Sequence, residues 1–222
     1  MAGRTRRGGM TIVCVASSKG GSGKSTLAAC LGVKAAEDGR CCIVDTDPQG
    51  SLVRWYELRG KGDAPGVVEA GSNLEATLEK LERAGVEFAI IDTPPALIGK
   101  IEVAIAAADF VLIPSQASAL DVEGVAATVE LARQLGRPFA FVLNRVEPRS
   151  KLTAEAEAYL KVDGRVLEGR IGNRECYRAA MTSGRAGPET KDASARAARE
   201  EIDALWTAVK KMATAAVRKA RA

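Results

Sequence analysis

Short runs of continuously apolar residues alternate along this chain with stretches of helical spacing. Thr11–Ala16, Cys41–Asp45, Phe88–Asp92, Phe110–Ile113 and Phe139–Leu143 are such runs, rich in Val, Ile, Cys and Phe. A strand apolar on both faces belongs to a sheet that is covered on both sides. Between the runs, Lys24 to about Asp38 reads as a helix stopped by Gly39. Asn73–Ala84 puts Leu74, Leu78 and Leu81 at helical spacing, and Val122–Leu135 reads as a further helix. A last long helix is expected from about Ala193 to the C-terminus. This order predicts an α/β fold, a mostly parallel twisted β-sheet with helices on both faces. Residues 10–222 are expected to form a single domain, behind a disordered basic leader at residues 1–9. Lys61–Gly66 and Gly184–Pro188 are expected to be mobile loops.

Composition narrows the function. Of 222 residues, 46% are hydrophobic and 27% charged, the balance of a soluble globular chain. No apolar run approaches the ~18–20 residues of a membrane span, and Met1–Gly9 has no signal-peptide stretch. A cytoplasmic protein is expected. The five cysteines (Cys14, Cys30, Cys41, Cys42 and Cys176) show no C-x-x-C spacing, and there is no histidine. A zinc enzyme and a histidine-based triad therefore lose their support. The cysteines read as small buried apolar residues. Charge is uneven: up to Arg145 there are 16 basic and 17 acidic residues, and from Val146 onward 16 and 11. A basic C-terminal third suits a polyanion, either nucleic acid or an acidic membrane surface.

The strongest chemical signal is Ser18-Lys19-Gly20-Gly21-Ser22-Gly23-Lys24-Ser25-Thr26, between a predicted strand and a predicted helix. Glycines let backbone N–H groups turn inward around phosphate oxygens, and a helix N-terminus adds partial positive charge. Lys24 is placed to reach β- and γ-phosphates, and the Ser25 hydroxyl to ligate magnesium. The common pattern G-x-x-x-x-G-K-[ST] is not strictly met, because Ser18 stands where its first glycine would be. Asp92 ends an apolar strand, where a carboxylate can hold magnesium through water at the sheet edge. Asp45 and Asp47 follow another strand at the same edge. Asn144 and Arg145, after a later strand, are candidates for contact with a nucleotide base.

The loop resembles the deviant Walker A motif of the ParA/MinD group of P-loop ATPases, whose marker is the additional lysine, here Lys19. Other segments agree in order. Val44–Ser51 resembles the group's first switch, Ile90–Pro95 its Walker B strand and second switch, Ile113–Asp121 the loop after the next strand, and Leu143–Arg145 its base-binding segment. The resemblance implies ATP and Mg2+ as cofactors and ATP hydrolysis as the reaction. It gives Asp47 the task of orienting the attacking water and Asp45 a supporting place in the magnesium shell with Ser25 and Asp92. It sends Lys19 across an ATP-dependent homodimer to the partner's nucleotide, a cation delivered to developing phosphate charge.

Within that group the chain is most similar to small plasmid and chromosome partition ParA proteins without an N-terminal DNA-binding domain, since Met1–Gly9 has no room for one. This implies non-specific binding to nucleoid DNA, partition or cargo positioning, and a ParB-like or cargo-adaptor protein that stimulates hydrolysis. Arg170, Arg174, Arg178 and Arg185 are the expected DNA contacts, with Arg174 and Arg178 on one helical face. An iron-protein role is rejected for want of suitably placed cysteines. The second reading is a MinD-like membrane-surface switch. The distal tail is mostly alanine and offers little apolar area to insert, and Ile202, Leu205 and Trp206 read as packed on the core.

Overall fold

The computed structural model describes residues 9–60, 62–95 and 97–221. Most of the leader, together with Lys61, lies outside the described residues. The apolar runs form strands β1 (Thr11–Val15), β2 (Cys41–Asp45), β4 (Phe88–Asp92), β5 (Phe110–Ser115) and β6 (Phe139–Leu143). They share one sheet with the short β3 (Gly66–Glu69), in the order β3-β2-β4-β1-β5-β6. Every neighbouring pair is parallel. Alternate side chains of each strand face opposite cores, which is why the runs are apolar without a break.

Val13, Val15, Ile43 and Ile90 face one core. It is closed by α1 (Lys24–Asp38), α2 (Ser51–Arg59), α8 (Glu175–Met181) and α9 (Ala195–Arg221). Ile12, Cys14, Val44 and Ile91 face the other. That side is closed by α3 (Leu74–Arg83), α4 (Ile98–Ala107), α5 (Ala119–Glu123), α6 (Ala126–Gln134) and α7 (Lys151–Asp163). All five cysteines are buried and free. In register, Asp45 lies beside Asp92, and Asp92 beside Val15. Three strands thus deliver the phosphate-loop segment and two carboxylates to one sheet edge.

Three expectations change. The helix expected over Val122–Leu135 is two helices, α5 and α6, separated at Gly124 and Val125. The Gly124 carbonyl accepts from the Ser18 hydroxyl at 2.8 Å, so the break ties the phosphate-loop segment to this face. Gly66 opens β3 instead of closing a loop. The segment from Gly184 to Pro188 is packed: Ala186 is fully buried, and the Arg185 carbonyl accepts from Trp55 Nε1 at 2.9 Å.

The final helix is bound to the core. Ile202 and Leu205 are buried, each worth about 1.5–3 kcal/mol. Trp206 meets Phe88 edge to face at 5.3 Å and donates from Nε1 to Asp38 at 2.7 Å. Detaching this part of α9 for a membrane would forfeit those contacts. No helix among the described residues is long and apolar enough to cross a membrane.

Candidate nucleotide site

The loop between β1 and α1 is held open by its glycines. Gly21 and Gly23 have φ of 75° and 92°, a region costly for other residues. A Cβ on Gly23 would also lie 2.1 Å from Asn144 Nδ2. Ser18 N–H donates to Thr128 Oγ1 at 3.1 Å, and Gln116 Nε2 donates to the Gly21 carbonyl at 2.9 Å. Lys24 is buried, and its ammonium donates to the Lys19 carbonyl at 3.1 Å. Burial lowers its pKa, opposed by the charges of Asp92 and Asp47. The loop therefore surrounds a fixed cation at a helix N-terminus, the arrangement that suits a phosphate.

The three aspartates are not equivalent. Asp92 is fully buried, and neither carboxylate oxygen has a hydrogen-bond partner. Burial pushes its pKa up to about 7; the Ser25 hydroxyl beside it pulls the other way, short of ordinary hydrogen-bond geometry. A buried carboxylate with both oxygens free, next to a hydroxyl, fits a hard divalent cation. Asp45 is also buried, but its oxygens accept from the N–H groups of Asp47 at 3.0 Å, Leu52 at 2.9 Å and Val53 at 3.3 Å. Its carboxylate braces the turn and the start of α2. Asp47 is half-buried, and its Oδ1 accepts from Gln49 N–H at 3.0 Å, leaving Oδ2 for other use. Thr46 ties this turn to β4 by donating from its hydroxyl to the Asp92 carbonyl at 2.6 Å.

Lys19 is paired within its own chain, 2.7 Å from Asp121 Oδ1. Asp121 also accepts from the Ser118 hydroxyl. The loop after β5 was legible as a segment, but this pairing needs the fold.

A narrow cleft of ≈ 30 Å³ opens beside the loop, lined by Gly23, Thr26, Asn144, Arg145, Gly172 and Arg174 among others. Asn144 Nδ2 donates to the Ser22 carbonyl at 2.8 Å, and its Oδ1 accepts from Arg145 N–H at 2.9 Å. The amide expected to face a base is thus bonded to the loop. Arg145 adopts φ 53°, a strained conformation for a residue with a side chain.

The expected DNA contacts are redistributed. Arg174 precedes α8 in extended backbone, so it shares no helical face with Arg178. The reason is local: the Gly172–Asn173 segment runs beside the end of β6, with Asn173 N–H donating to the Val146 carbonyl at 3.0 Å. Arg170 pairs with Glu157, Arg174 with Glu201 and Arg178 with Glu175. The Arg185 side chain is exposed.

Residues 13–186 match the family described as CobQ/CobB/MinD/ParA nucleotide binding domain. The chain is 33% identical to the maintenance of carboxysome distribution protein A of Halothiobacillus neapolitanus over 181 residues, covering 78% of this chain and 84% of that protein. It is 31% identical to the protein ParA of Rhizobium radiobacter, covering 94% of this chain and 100% of that protein. Its fold is similar to the septum site-determining protein MinD of Pyrococcus horikoshii, solved with Mg-ADP. There the TM-score is 0.71 at 20% identity, covering 93% and 98% of the two chains.

Proposed function

Because the chain belongs to the CobQ/CobB/MinD/ParA nucleotide-binding family, we propose that it is a ParA-type ATPase that positions a plasmid, a chromosome or another cellular cargo. The observation that carries this reading is the buried Asp92 carboxylate, unpartnered at both oxygens, beside Ser25 and Lys24 at the head of the glycine loop. Asp92 and Ser25 would hold magnesium, which when bound neutralises phosphate charge. Gly20–Thr26 cradle the phosphates with backbone N–H groups, and Lys24 supplies the counter-charge. Asp47 orients water through its free oxygen, on a turn that Asp45 fixes. Asn144 and Arg145 border the nucleoside end.

Lys19 exchanges Asp121 for the nucleotide of a second subunit, so dimerisation follows ATP. The relatives named for carboxysome distribution and for ParA support a cargo-positioning role. The dimer is proposed to bind nucleoid DNA without sequence preference, and an adaptor of the ParB kind to stimulate hydrolysis. A membrane-surface role draws less support, because Ile202, Leu205, Trp206 and Val209 of α9 are buried in the core.

The test is light scattering with Asp47→Ala. Magnesium and ATP should drive this variant to a lasting dimer while hydrolysis slows. A variant that hydrolyses ATP at the wild-type rate would remove Asp47 from the reaction.

A further inference from the structure

Arg174 lines the cleft, with its side chain 32% exposed. Its Nε and Nη2 both donate to Glu201 Oε1, at 3.0 and 2.6 Å. The other Glu201 oxygen accepts from the Tyr177 hydroxyl at 2.8 Å. Glu201 belongs to α9, and its side chain is 15% exposed. The pair lies against the backbone of Gly172: a Cβ there would come within 3.1 Å of Arg174 Nε and of Glu201 Oε1. The guanidinium is thus fixed from two sides, by a carboxylate along its edge and by bare backbone.

Such fixing has a chemical meaning. A planar guanidinium can stack flat on an aromatic ring, a geometry that a lysine ammonium, a compact point charge, does not reproduce. A long arginine normally loses side-chain freedom when it does so, and prior anchoring removes part of that cost. Phosphates in the loop leave the nucleoside to extend into this cleft, because Gly23 and Thr26 border both.

We propose that Arg174, anchored by Glu201, forms a stacking wall for the nucleotide base, with Glu201 acting as a positioning residue on α9. The proposal rests on Lys19–Thr26 being a phosphate loop. It assigns to the nucleotide a residue that the family resemblance suggested for DNA. It also makes α9 sensitive to the occupied cleft, because the same helix is tied to α1 through Lys34–Asp203 and Lys210–Asp38.

The experiment compares calorimetric affinity for ATP with that for inorganic tripolyphosphate, both with magnesium, in wild type, Arg174→Ala, Arg174→Lys and Glu201→Gln. ATP affinity should fall about tenfold in Arg174→Ala, the size of a stacked cation contact. Arg174→Lys should not restore it, and Glu201→Gln should fall part of the way. Tripolyphosphate affinity should stay constant throughout, which also reports that the loop is folded. Unchanged ATP affinity would overturn the proposal, and so would a parallel loss of both ligands. Failure of the wild type to bind tripolyphosphate would instead overturn the phosphate loop itself.

Discussion

Lys19 Nζ lies 2.7 Å from Asp121 Oδ1 within a single chain. The lysine proposed to serve a neighbouring subunit is therefore held at home, on the helix α5 that follows β5. The side chains are 32% and 11% exposed, so the pair is only partly screened by water. Any role across a dimer requires Lys19 to give up this carboxylate for phosphate.

Removing the carboxylate should make that exchange easier. Asp121→Asn should dimerise at about fivefold lower ATP concentration, the equivalent of roughly 1 kcal/mol for such a pair. Light scattering across an ATP titration measures it. A variant that needs as much ATP as wild type, or more, would show that the pair does not restrain Lys19.

Asp92 should trade stability for magnesium. A buried carboxylate without partners costs about 1–3 kcal/mol or more. Asp92→Asn should raise the thermal midpoint of the nucleotide-free protein at pH 8, where the wild-type group is ionised, and should abolish the further rise that magnesium and ATP give to wild type. Thermal melts with and without magnesium and ATP test both halves. A lower midpoint without ligand, or a wild-type response to magnesium and ATP, would contradict this account of Asp92.

Arg59 and Glu189 form a clamp that fixes the end of α2. Arg59 Nη1 and Nη2 donate to the two Glu189 oxygens at 2.7 and 2.6 Å. Burial raises the pKa of Glu189, but Arg59 and the Ala186 N–H outweigh it, so the net shift is below 4.5. A depressed carboxyl gives its stabilisation in full above the unfolded value and loses it as pH falls through the folded one. Glu189→Gln should therefore cost about 1–3 kcal/mol at pH 7, and the difference from wild type should shrink below pH 4.5. Denaturant melts at pH 7 and pH 3.5 decide it; an equal cost at both values would rule out the ionised clamp.

DNA contact should depend on Arg170 and Arg178 rather than Arg174. The Arg178–Glu175 pair is 62% and 66% exposed, and Arg170 is half exposed. Such pairs yield readily to a phosphate. The double change Arg170→Glu and Arg178→Glu should abolish ATP-dependent binding to random-sequence duplex while sparing the ATP dimer. Interferometry with a salt titration gives the result, since each phosphate contact adds about 0.9 to the salt slope. Full binding by the charge-reversed protein would move the DNA surface elsewhere.

The sequence was most legible where one local pattern decided the outcome. β2, β4 and β6 have the boundaries their apolar runs predict, and the glycines of the phosphate loop carry their own conformational reason. α2, with only Leu52 and Trp55 fully committed to the core, offers too short a pattern to read. β3 is partly exposed and lacks an apolar run. α4 carries a signal in the helical spacing of Ile98, Ile101 and Ile105. The site followed the same division. Lys24, Ser25 and Asp92 were visible as motif residues, but Asp121 and Glu201 act through partners 102 and 27 residues away, and no local spacing encodes such contacts. Arg174 and Arg178 misled because a four-residue interval implies one face only if both lie inside the helix.

The central claim is that the loop around Lys24 binds ATP with magnesium. Isothermal titration of magnesium and ATP into the wild type and into Lys24→Ala tests it most directly. Wild type should bind one nucleotide per chain, and the variant should show no measurable binding, since the buried phosphate counter-charge is gone. Near-wild-type affinity in Lys24→Ala would contradict it.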